Sequence, residues 1–261
     1  MLGEHGKAAF SVLTRDQIKQ YPYDMHKYTY TNEHITQGKH YSSVLDLLDL
    51  NKYSTVCAGI DTGYVDPTVI TVMGLNDKGL WVVLVRYVLK RIDFPTQEKI
   101  IHYLHKHYKF DKIGLDIGAG GGGTQILHSF LYREDYKSVN YAETIVPVQF
   151  NERIAVGYDT EGKELTVSTK TLGAGLLVQQ LQQGSIILSQ MDFELVSELE
   201  RITKQRSMNG DDRYFILSDK GNGASTEDHN FASMICFCIA TRDLSFQKKR
   251  RKRLGRTGGG Y

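Results

Sequence analysis

Cysteine is scarce in this chain of 261 residues, which contains only Cys57, Cys236 and Cys238. An odd number of cysteines in apolar surroundings is not the framework of a disulfide-rich secreted protein, and we expect buried thiols in a reducing compartment. One residue separates Cys236 from Cys238, whereas zinc knuckles have two. The sequence therefore does not favour a zinc site.

Long apolar runs and nucleotide-binding motifs are also lacking. No apolar run approaches the roughly 18 residues of a membrane span, and residues 1–7 do not contain the apolar stretch of a signal peptide. We therefore expect no membrane association. The nearest approach to a phosphate-binding P-loop, at residues 3–8, has neither the spacing nor the hydroxyl residue of that motif, which excludes a Walker-type ATPase.

Positive charge is concentrated at one end of the chain. The formal net charge is +2, from 32 basic and 30 acidic residues. Seven of the basic residues lie in 247–256. The rest of the chain therefore has 25 basic and 30 acidic residues, so it is mildly acidic. A block of like charge stays extended until it meets an anionic partner, and nucleic acid is the obvious candidate. A solvated tail or a localisation signal is the alternative.

Composition and patterning divide the chain into three parts. Residues 1–53 are polar and weakly patterned and are interpreted as a linker or leading segment, with a short helix near 42–48. Residues 54–244 carry the apolar periodicity of a folded domain, and residues 245–261 form a flexible basic tail. Within the domain we predict strands at 55–61, 68–75, 80–90, 112–117, 143–150, 185–188 and 212–217, helices at 95–108, 124–134, 168–184, 192–207 and 228–243, and a projecting hairpin at 152–170.

The order of these elements predicts the topology of the sheet. A three-strand meander followed by a crossover helix implies antiparallel pairing among the first three strands and parallel pairing of the next two beside the first. This is a ribonuclease H-like fold, with a mixed sheet of five or more strands flanked by helices.

Acidic residues follow two of the strands that this topology places side by side. Asp61 ends the first strand and Asp116 follows the fourth, and ligands bind at the carboxyl edge where such parallel strands end. Asp228 begins the last helix, which could deliver a third carboxylate. Oxygen ligands without a histidine or thiolate cluster suit Mg²⁺ or Mn²⁺. Two such ions about 3.5–4 Å apart can activate a water and stabilise a leaving oxygen.

Each of these residues also has a structural interpretation. Asp61 could cap a turn, Asp116 could form an Asx turn before the glycines, and Asp228 with Ser225 has the pattern of a capping box. The same choice applies to the weaker candidates. Asp66 is either a further ligand or a turn residue. His229 either positions water or phosphate or has a structural role. Gly118 and Gly120 either let a phosphodiester approach Asp116 or form a flexible link.

Two stretches also resemble the phosphate loops of actin-like ATPases, namely GIDTGY at 59–64 and DIGAGGGGT at 116–124. The two aspartates are too close in sequence to leave room for the rest of a first lobe between such loops. The chain is also short for two lobes, so this alternative is disfavoured.

Over roughly residues 54–243 the chain resembles the nuclease domain of tailed-phage terminase large subunits. The matching motifs are GIDTGYVDPT at 59–68, LDIGAGGGG at 115–123 and TEDHNFASMICFCIA at 226–240. The third motif, in which an acid leads a helix of small residues, favours a terminase over resolvases or transposases. Asp61, Asp116 and Asp228 match the metal-binding catalytic acids of that family, and Asp66 matches less closely.

This resemblance implies an Mg²⁺- or Mn²⁺-dependent endonuclease that cleaves concatemeric double-stranded viral DNA by a two-metal mechanism during genome packaging. In the family the nuclease follows a packaging ATPase domain and works with the portal and the small terminase subunit at the procapsid, in the host cytoplasm. The chain is therefore expected to be a C-terminal domain. A DNA- or portal-docking module with vestigial acids is the alternative function.

The predicted DNA contacts come from the hairpin, from the surroundings of the acids and from the tail. The 153–169 hairpin falls where the family has a projecting hairpin near the DNA path. The candidate residues are Arg153, Lys163, Lys170, Lys220, Lys248, Lys249, Arg250 and Arg251.

Removing residues 247–261 should weaken binding to double-stranded DNA and flatten its salt dependence, because each lost phosphate contact lowers the slope of log affinity against log salt by about 0.9. Fluorescence anisotropy at several salt concentrations measures both quantities. A variant with the seven basic tail residues changed to glutamine keeps the length as a control and should behave like the deletion. Unchanged affinity in both variants would rule out a role for the tail in DNA binding.

Overall fold

The computed structural model describes residues 11–18, 20–22, 26–31, 48–118, 122–158, 160–206, 212–217 and 228–244. A central mixed sheet carries helices on both of its faces. Within the described ranges, no helix combines the length and the apolar character that a membrane span requires.

Five apolar strands form the centre of the sheet. Most of their residues are buried, so they read as continuous apolar runs rather than as alternating ones. The β3–β4 and β4–β5 pairs are antiparallel, and the β3–β6 and β6–β7 pairs are parallel. This confirms the predicted ribonuclease H-like topology. In spatial order the strands are β5 (Trp81–Lys90), β4 (Thr68–Leu75), β3 (Thr55–Asp61), β6 (Lys112–Asp116) and β7 (Ile145–Val148).

Three more strands extend the sheet beyond β5. Strand β10 (Ile186–Ser189) pairs in parallel with the start of β5, and β2 (His26–Thr31) pairs in parallel with its later residues. The two-residue β1 (Gln20–Tyr21) pairs with β10. The boundary between 53 and 54 stays a prediction, but the described part of the leading segment contributes β1 and β2 to this sheet. The helix predicted near 42–48 lies almost wholly outside the described residues.

The helices cover the two faces of the sheet and bury a hydrophobic cluster on each. On one face lie α1 (Phe94–Tyr108), α2 (Gly122–Tyr132) and the short α3 (Tyr141–Thr144). On the other face lie α4 (Thr169–Gln182), α5 (Phe193–Glu200) and α6 (His229–Thr241). Helix α6 packs directly on β3, β4 and β6 and is buried over most of its length.

Two small hairpins lie outside the main sheet. The predicted hairpin is present, formed by β8 (Arg153–Tyr158) and β9 (Glu164–Ser168), and it is mostly exposed. The helix predicted at 192–207 is wrong in its second half, because α5 ends at Glu200 and Ile202–Arg206 forms β11. That strand pairs with β12 (Asp212–Ile216). Pairing with β12 and burial of the β-branched Ile202 and Thr203 override the helical pattern.

Helix α6 lies so close to the sheet that β3 and β6 have no room for a side chain at the points of contact. A Cβ atom added to Gly59 of β3 would lie 2.0 Å from the carbonyl oxygen of Ser233, and one added to Gly114 of β6 would lie 2.0 Å from that of Cys236. Backbone therefore rests on backbone at these two points, and the sites require glycine. This contact sets the height of α6, including its first turn, above the ends of β3 and β6.

Replacing Gly59 with alanine should lower the free energy of unfolding by about 3 kcal/mol, because the helix would have to move away from the sheet. Gly175 in α4 is a matched control, since the nearest atom to an added Cβ lies 4.0 Å away. Gly175→Ala should be neutral or stabilise by about 0.5–1 kcal/mol, as expected for a helix interior. Urea unfolding measures both, and equal effects would contradict the close contact.

Candidate metal centre

The two strand-end aspartates are brought together by the parallel pairing of their strands. Asp61 is the last residue of β3 and Asp116 the last residue of β6. Ile60 lies opposite Leu115 in the register of the pair, so the carboxyl groups leave the sheet at the same level. The two carboxyl groups lie close enough that each shifts the pKa of the other.

Burial makes this proximity unfavourable for two negative charges. Asp61 is 7% exposed, and burial raises its pKa. Burial also raises the pKa of Asp116 to about 6; the nearby Asp61 adds to the rise, and the hydrogen bond from the Gly118 amide opposes it. The pair therefore holds a proton more tightly than two isolated aspartates would.

His229, the first residue of α6, is the partner of Asp61. Its Nδ1 atom lies 3.0 Å from Oδ2 of Asp61. This hydrogen bond raises the pKa of His229 and opposes the effect of burial on Asp61. The structure thus places His229 beside a predicted metal ligand, where it favours the charged form of that carboxylate.

Asp228 faces the same space from the other side and meets a cation there. It is the N-cap residue of α6, and its Oδ2 lies 3.1 Å from Nζ of Lys170. Lys170 lies in the first turn of α4, with its ammonium group 5.6 Å from the centre of the Phe150 ring. Sequence reasoning gave Lys170 as a DNA contact and missed its position beside Asp228.

One cleft of about 730 Å³ contains all of these groups. The three aspartates that the sequence singled out come from distant segments and line it together, as do the weaker candidates Asp66, His229 and Gly118. The full set of predicted residues in its wall is Asp61, Asp66, Asp116, Gly118, Lys170, Asp228 and His229.

The loop that carries Asp66 is held by buried side chains. The Gly63 amide donates to Oγ1 of Thr68 at 2.9 Å, and Nε2 of Gln97 donates to the Gly63 carbonyl at 2.7 Å. The residues Thr68 and Gln97 are fully buried. Asp66 acts electrostatically on His229 from this loop, and its role as a metal ligand stays a prediction.

Gly118 lies against the carboxylate of Asp116. Its amide donates to Oδ1 of Asp116 at 2.9 Å, and a Cβ at this position would lie 3.0 Å from the same atom. Alanine here would therefore crowd the carboxylate. The predicted contact of this glycine segment with phosphate stays a prediction, and Gly120 lies outside the described residues.

The predicted DNA contacts Arg153 and Lys163 of the hairpin are exposed and are not among the residues that line the cleft. The Arg153 guanidinium donates across the hairpin to Oγ1 and to the carbonyl of Thr166, at 2.9 and 2.6 Å, and Lys163 lies near the exposed turn. The hairpin leads directly into α4, whose Lys170 belongs to the cleft. Lys220, Lys248, Lys249, Arg250 and Arg251 lie outside the described residues.

The donor chemistry of the cleft suits a hard divalent cation. Among the residues that the structure describes, no group of three or more His, Cys, Asp or Glu side chains has the arrangement of a metal site. The His229 ring lies beside Asp61, and the Lys170 ammonium group lies beside Asp228. Carboxylate oxygens without accessible thiolates fit Mg²⁺ or Mn²⁺.

A buried series of hydrogen-bonded polar side chains next to the cleft was not predicted from the sequence. Arg86 of β5 is fully buried and forms a bidentate ion pair with Asp192, at 2.8 and 2.6 Å. The chain continues through Asn230 to Glu198. An arginine in the middle of the apolar run at 81–90 was the available signal, because such a residue needs a buried acid.

Comparisons with known proteins identify the fold. No protein-family model and no curated protein sequence matches the chain. Two solved structures of the large terminase nuclease from thermophilic phage G20c, one with bound cobalt and one with bound magnesium, are similar. Each has a TM-score of 0.54 and 15% identity, and the match covers 88% of this chain and 97% of the phage chain. The likeness shows that this chain shares the fold of those nucleases.

The shifted pKa of Asp116 predicts how stability depends on pH. Because its folded-state pKa of about 6 lies above the ordinary 3.8, the folded state binds the proton more tightly, and stability falls as pH rises from about 4 to about 6. Asp116→Asn should remove this loss, so its Tm relative to wild type should increase across that window and stay higher at pH 7–8.

Thermal unfolding in EDTA at several pH values measures this difference. Asp77→Asn, in the exposed turn between β4 and β5, is the control and should track wild type. A Tm difference for Asp116→Asn that does not change with pH would contradict the shifted pKa.

Proposed function

We propose that this chain is the nuclease domain of a tailed-phage terminase large subunit, a metal-dependent endonuclease acting on double-stranded DNA. The observation that carries the proposal is the meeting of Asp61, Asp116 and Asp228 in one cleft of this fold. These aspartates come from two strand ends and a helix start that are far apart in sequence. Carboxylates gathered at the carboxyl edge of a mixed sheet are suited to divalent cations and phosphate esters.

The same three aspartates would hold Mg²⁺ or Mn²⁺, with two ions in the active complex and Asp66 as a proposed fourth ligand. When bound, such ions activate a water for in-line attack on a phosphodiester and stabilise the leaving 3′-oxygen. Magnesium bound to the similar phage nuclease supports the choice of metal class.

The other residues of the cleft would prepare the carboxylates and the DNA. His229 holds Asp61 through a hydrogen bond and favours its ionised form. Lys170 provides an ammonium group on a flexible stem, which can leave Asp228 for a DNA phosphate when a cation takes its place. Gly118 leaves space beside Asp116 for the approaching backbone.

DNA binding would be largely independent of sequence and sensitive to salt. The candidate contacts are basic side chains, which reach phosphates rather than base edges. An acidic body with a basic tail suggests weak binding by this chain alone. The resemblance to terminases supplies the proposed substrate, concatemeric viral DNA, and the proposed partners: a packaging ATPase domain, the portal and the small subunit, in the host cytoplasm.

A catalytically weak DNA- or portal-docking module is the second candidate function. The observation that favours it is the engagement of the carboxylates by His229 and Lys170, with no ready arrangement of metal ligands among the described residues. A divalent cation that displaces Lys170 from Asp228 distinguishes the two functions, because only the nuclease requires a bound cation.

The discriminating experiment incubates supercoiled plasmid with the protein over a range of Mn²⁺ and Mg²⁺ concentrations. Wild type should nick and linearise the plasmid, and Asp61→Asn and Asp116→Asn should each lower the rate by at least about 100-fold, because each removes charge stabilisation of the transition state. Asp77→Asn, an acid of an exposed turn, is the matched control and should cut at the wild-type rate.

Two results would overturn the nuclease. One is the absence of cleavage by wild type at every metal concentration while plasmid binding persists, which favours the docking module. The other is cleavage that survives in the double variant Asp61→Asn and Asp116→Asn, which would indicate a contaminating nuclease or a different site.

A further inference from the structure

Three of the helices in the described part of the chain use the same device at their first turn. The side chain of the N-cap residue accepts a hydrogen bond from the backbone amide three positions later, which satisfies one of the amides that a helix start leaves without an internal partner. The pairs are Asp93 with Thr96 at 2.8 Å in α1, Ser168 with Thr171 at 3.2 Å in α4, and Asp192 with Leu195 at 3.3 Å in α5.

Helix α6 departs from this pattern, although its N-cap residue is an aspartate. The side chain of Asp228 makes no capping hydrogen bond and lies in the cleft beside Lys170. The corresponding amide, that of Phe231, donates instead to Oε1 of Glu198 at 2.8 Å. Glu198 belongs to α5, so a neighbouring helix supplies the cap that Asp228 would otherwise provide.

The cap on Phe231 is fixed in place by buried polar contacts. Glu198 is 4% exposed, and its second oxygen accepts from Nδ2 of Asn230 at 2.5 Å. The amide oxygen of Asn230 accepts from the guanidinium of Arg86, whose other donors hold Asp192. The Arg86 donor on one side and the Glu198 acceptor on the other allow the Asn230 amide only one orientation.

We propose that Glu198 is a positioning residue that caps α6 in place of Asp228 and thereby keeps the Asp228 carboxylate in the cleft. The consequence for metal binding rests on the proposed nuclease function, and the capping itself does not.

The physical basis is competition between two acceptors for one donor. A buried amide without a partner costs free energy, so an aspartate at the N-cap position bonds to it unless another acceptor is already there. Without Glu198, the Phe231 amide would donate its hydrogen bond to the side chain of Asp228. The carboxylate of Asp228 would then turn away from Lys170 and from the other two acids.

The first test uses thermal unfolding of the full chain in EDTA and compares two N-cap aspartates. Asp93→Ala removes an aspartate that caps its own helix and should lower Tm by about 2–4 °C. Asp228→Ala should lower Tm by no more than about 1 °C, because only a half-exposed ion pair is lost. In the Glu198→Ala background, Asp228→Ala should cost about 2–4 °C, because Asp228 has become the cap.

The second test measures the Mn²⁺ concentration that gives half-maximal plasmid cleavage. Glu198→Ala should raise it by about fivefold to tenfold, the equivalent of breaking one capping bond, and saturating Mn²⁺ should restore most of the rate. Glu98→Ala is the matched control, since Glu98 is another helix glutamate, 2% exposed, and paired with Arg133 at 2.8 Å on the opposite face of the sheet. It should lower Tm and leave the half-maximal concentration unchanged.

Several outcomes would overturn the proposal. Equal Tm losses for Asp93→Ala and Asp228→Ala would show that Asp228 caps α6 itself, and this comparison needs no Glu198 variant to fold. A Glu198→Ala protein with a lower maximal rate at an unchanged half-maximal Mn²⁺ concentration would show a merely structural role. If wild type does not cleave DNA at all, the proposed function fails, and the unfolding comparisons still decide the capping.

Discussion

Two carboxyl groups held close together at the ends of parallel strands are the constraint on which the rest of this cleft depends. Burial and mutual repulsion make it unfavourable for both Asp61 and Asp116 to be charged. The surrounding contacts relieve that conflict through the His229 ring beside Asp61 and through the Gly118 amide, which donates to Asp116. In the proposed nuclease, a divalent cation would take the place of the proton that this pair holds.

Helix α6 connects this charge balance to the architecture of the molecule. Its middle rests on the sheet through glycines, and its first turn delivers Asp228 and His229 to the strand ends. The buried chain from Arg86 through Asn230 to Glu198 holds that first turn from behind. Buried charges of this kind add little net stability, but once paired they tolerate few alternative geometries.

Much of the fold could be predicted from the sequence, because continuous apolar runs and one crossover helix leave few topologies open. The convergence of Asp61 and Asp116 followed from that topology. Prediction from the local sequence pattern failed where contacts between distant segments determine the structure. Residues 202–206 look helical until β12 pairs with them. Neither the position of Lys170 beside Asp228 nor the cap from Glu198 has a local signature, since each joins segments that are distant in sequence.

The backbone contact between α6 and the strands has a consequence for anyone who would re-engineer this protein. With no layer of side chains at Gly59 and Gly114, the helix cannot be lifted, tilted or slid by exchanging core residues of different size. A change in the chemistry of the cleft would have to come from new side chains in its wall. The wall of the cleft can therefore tolerate substitutions, whereas Gly59 and Gly114 beneath α6 cannot.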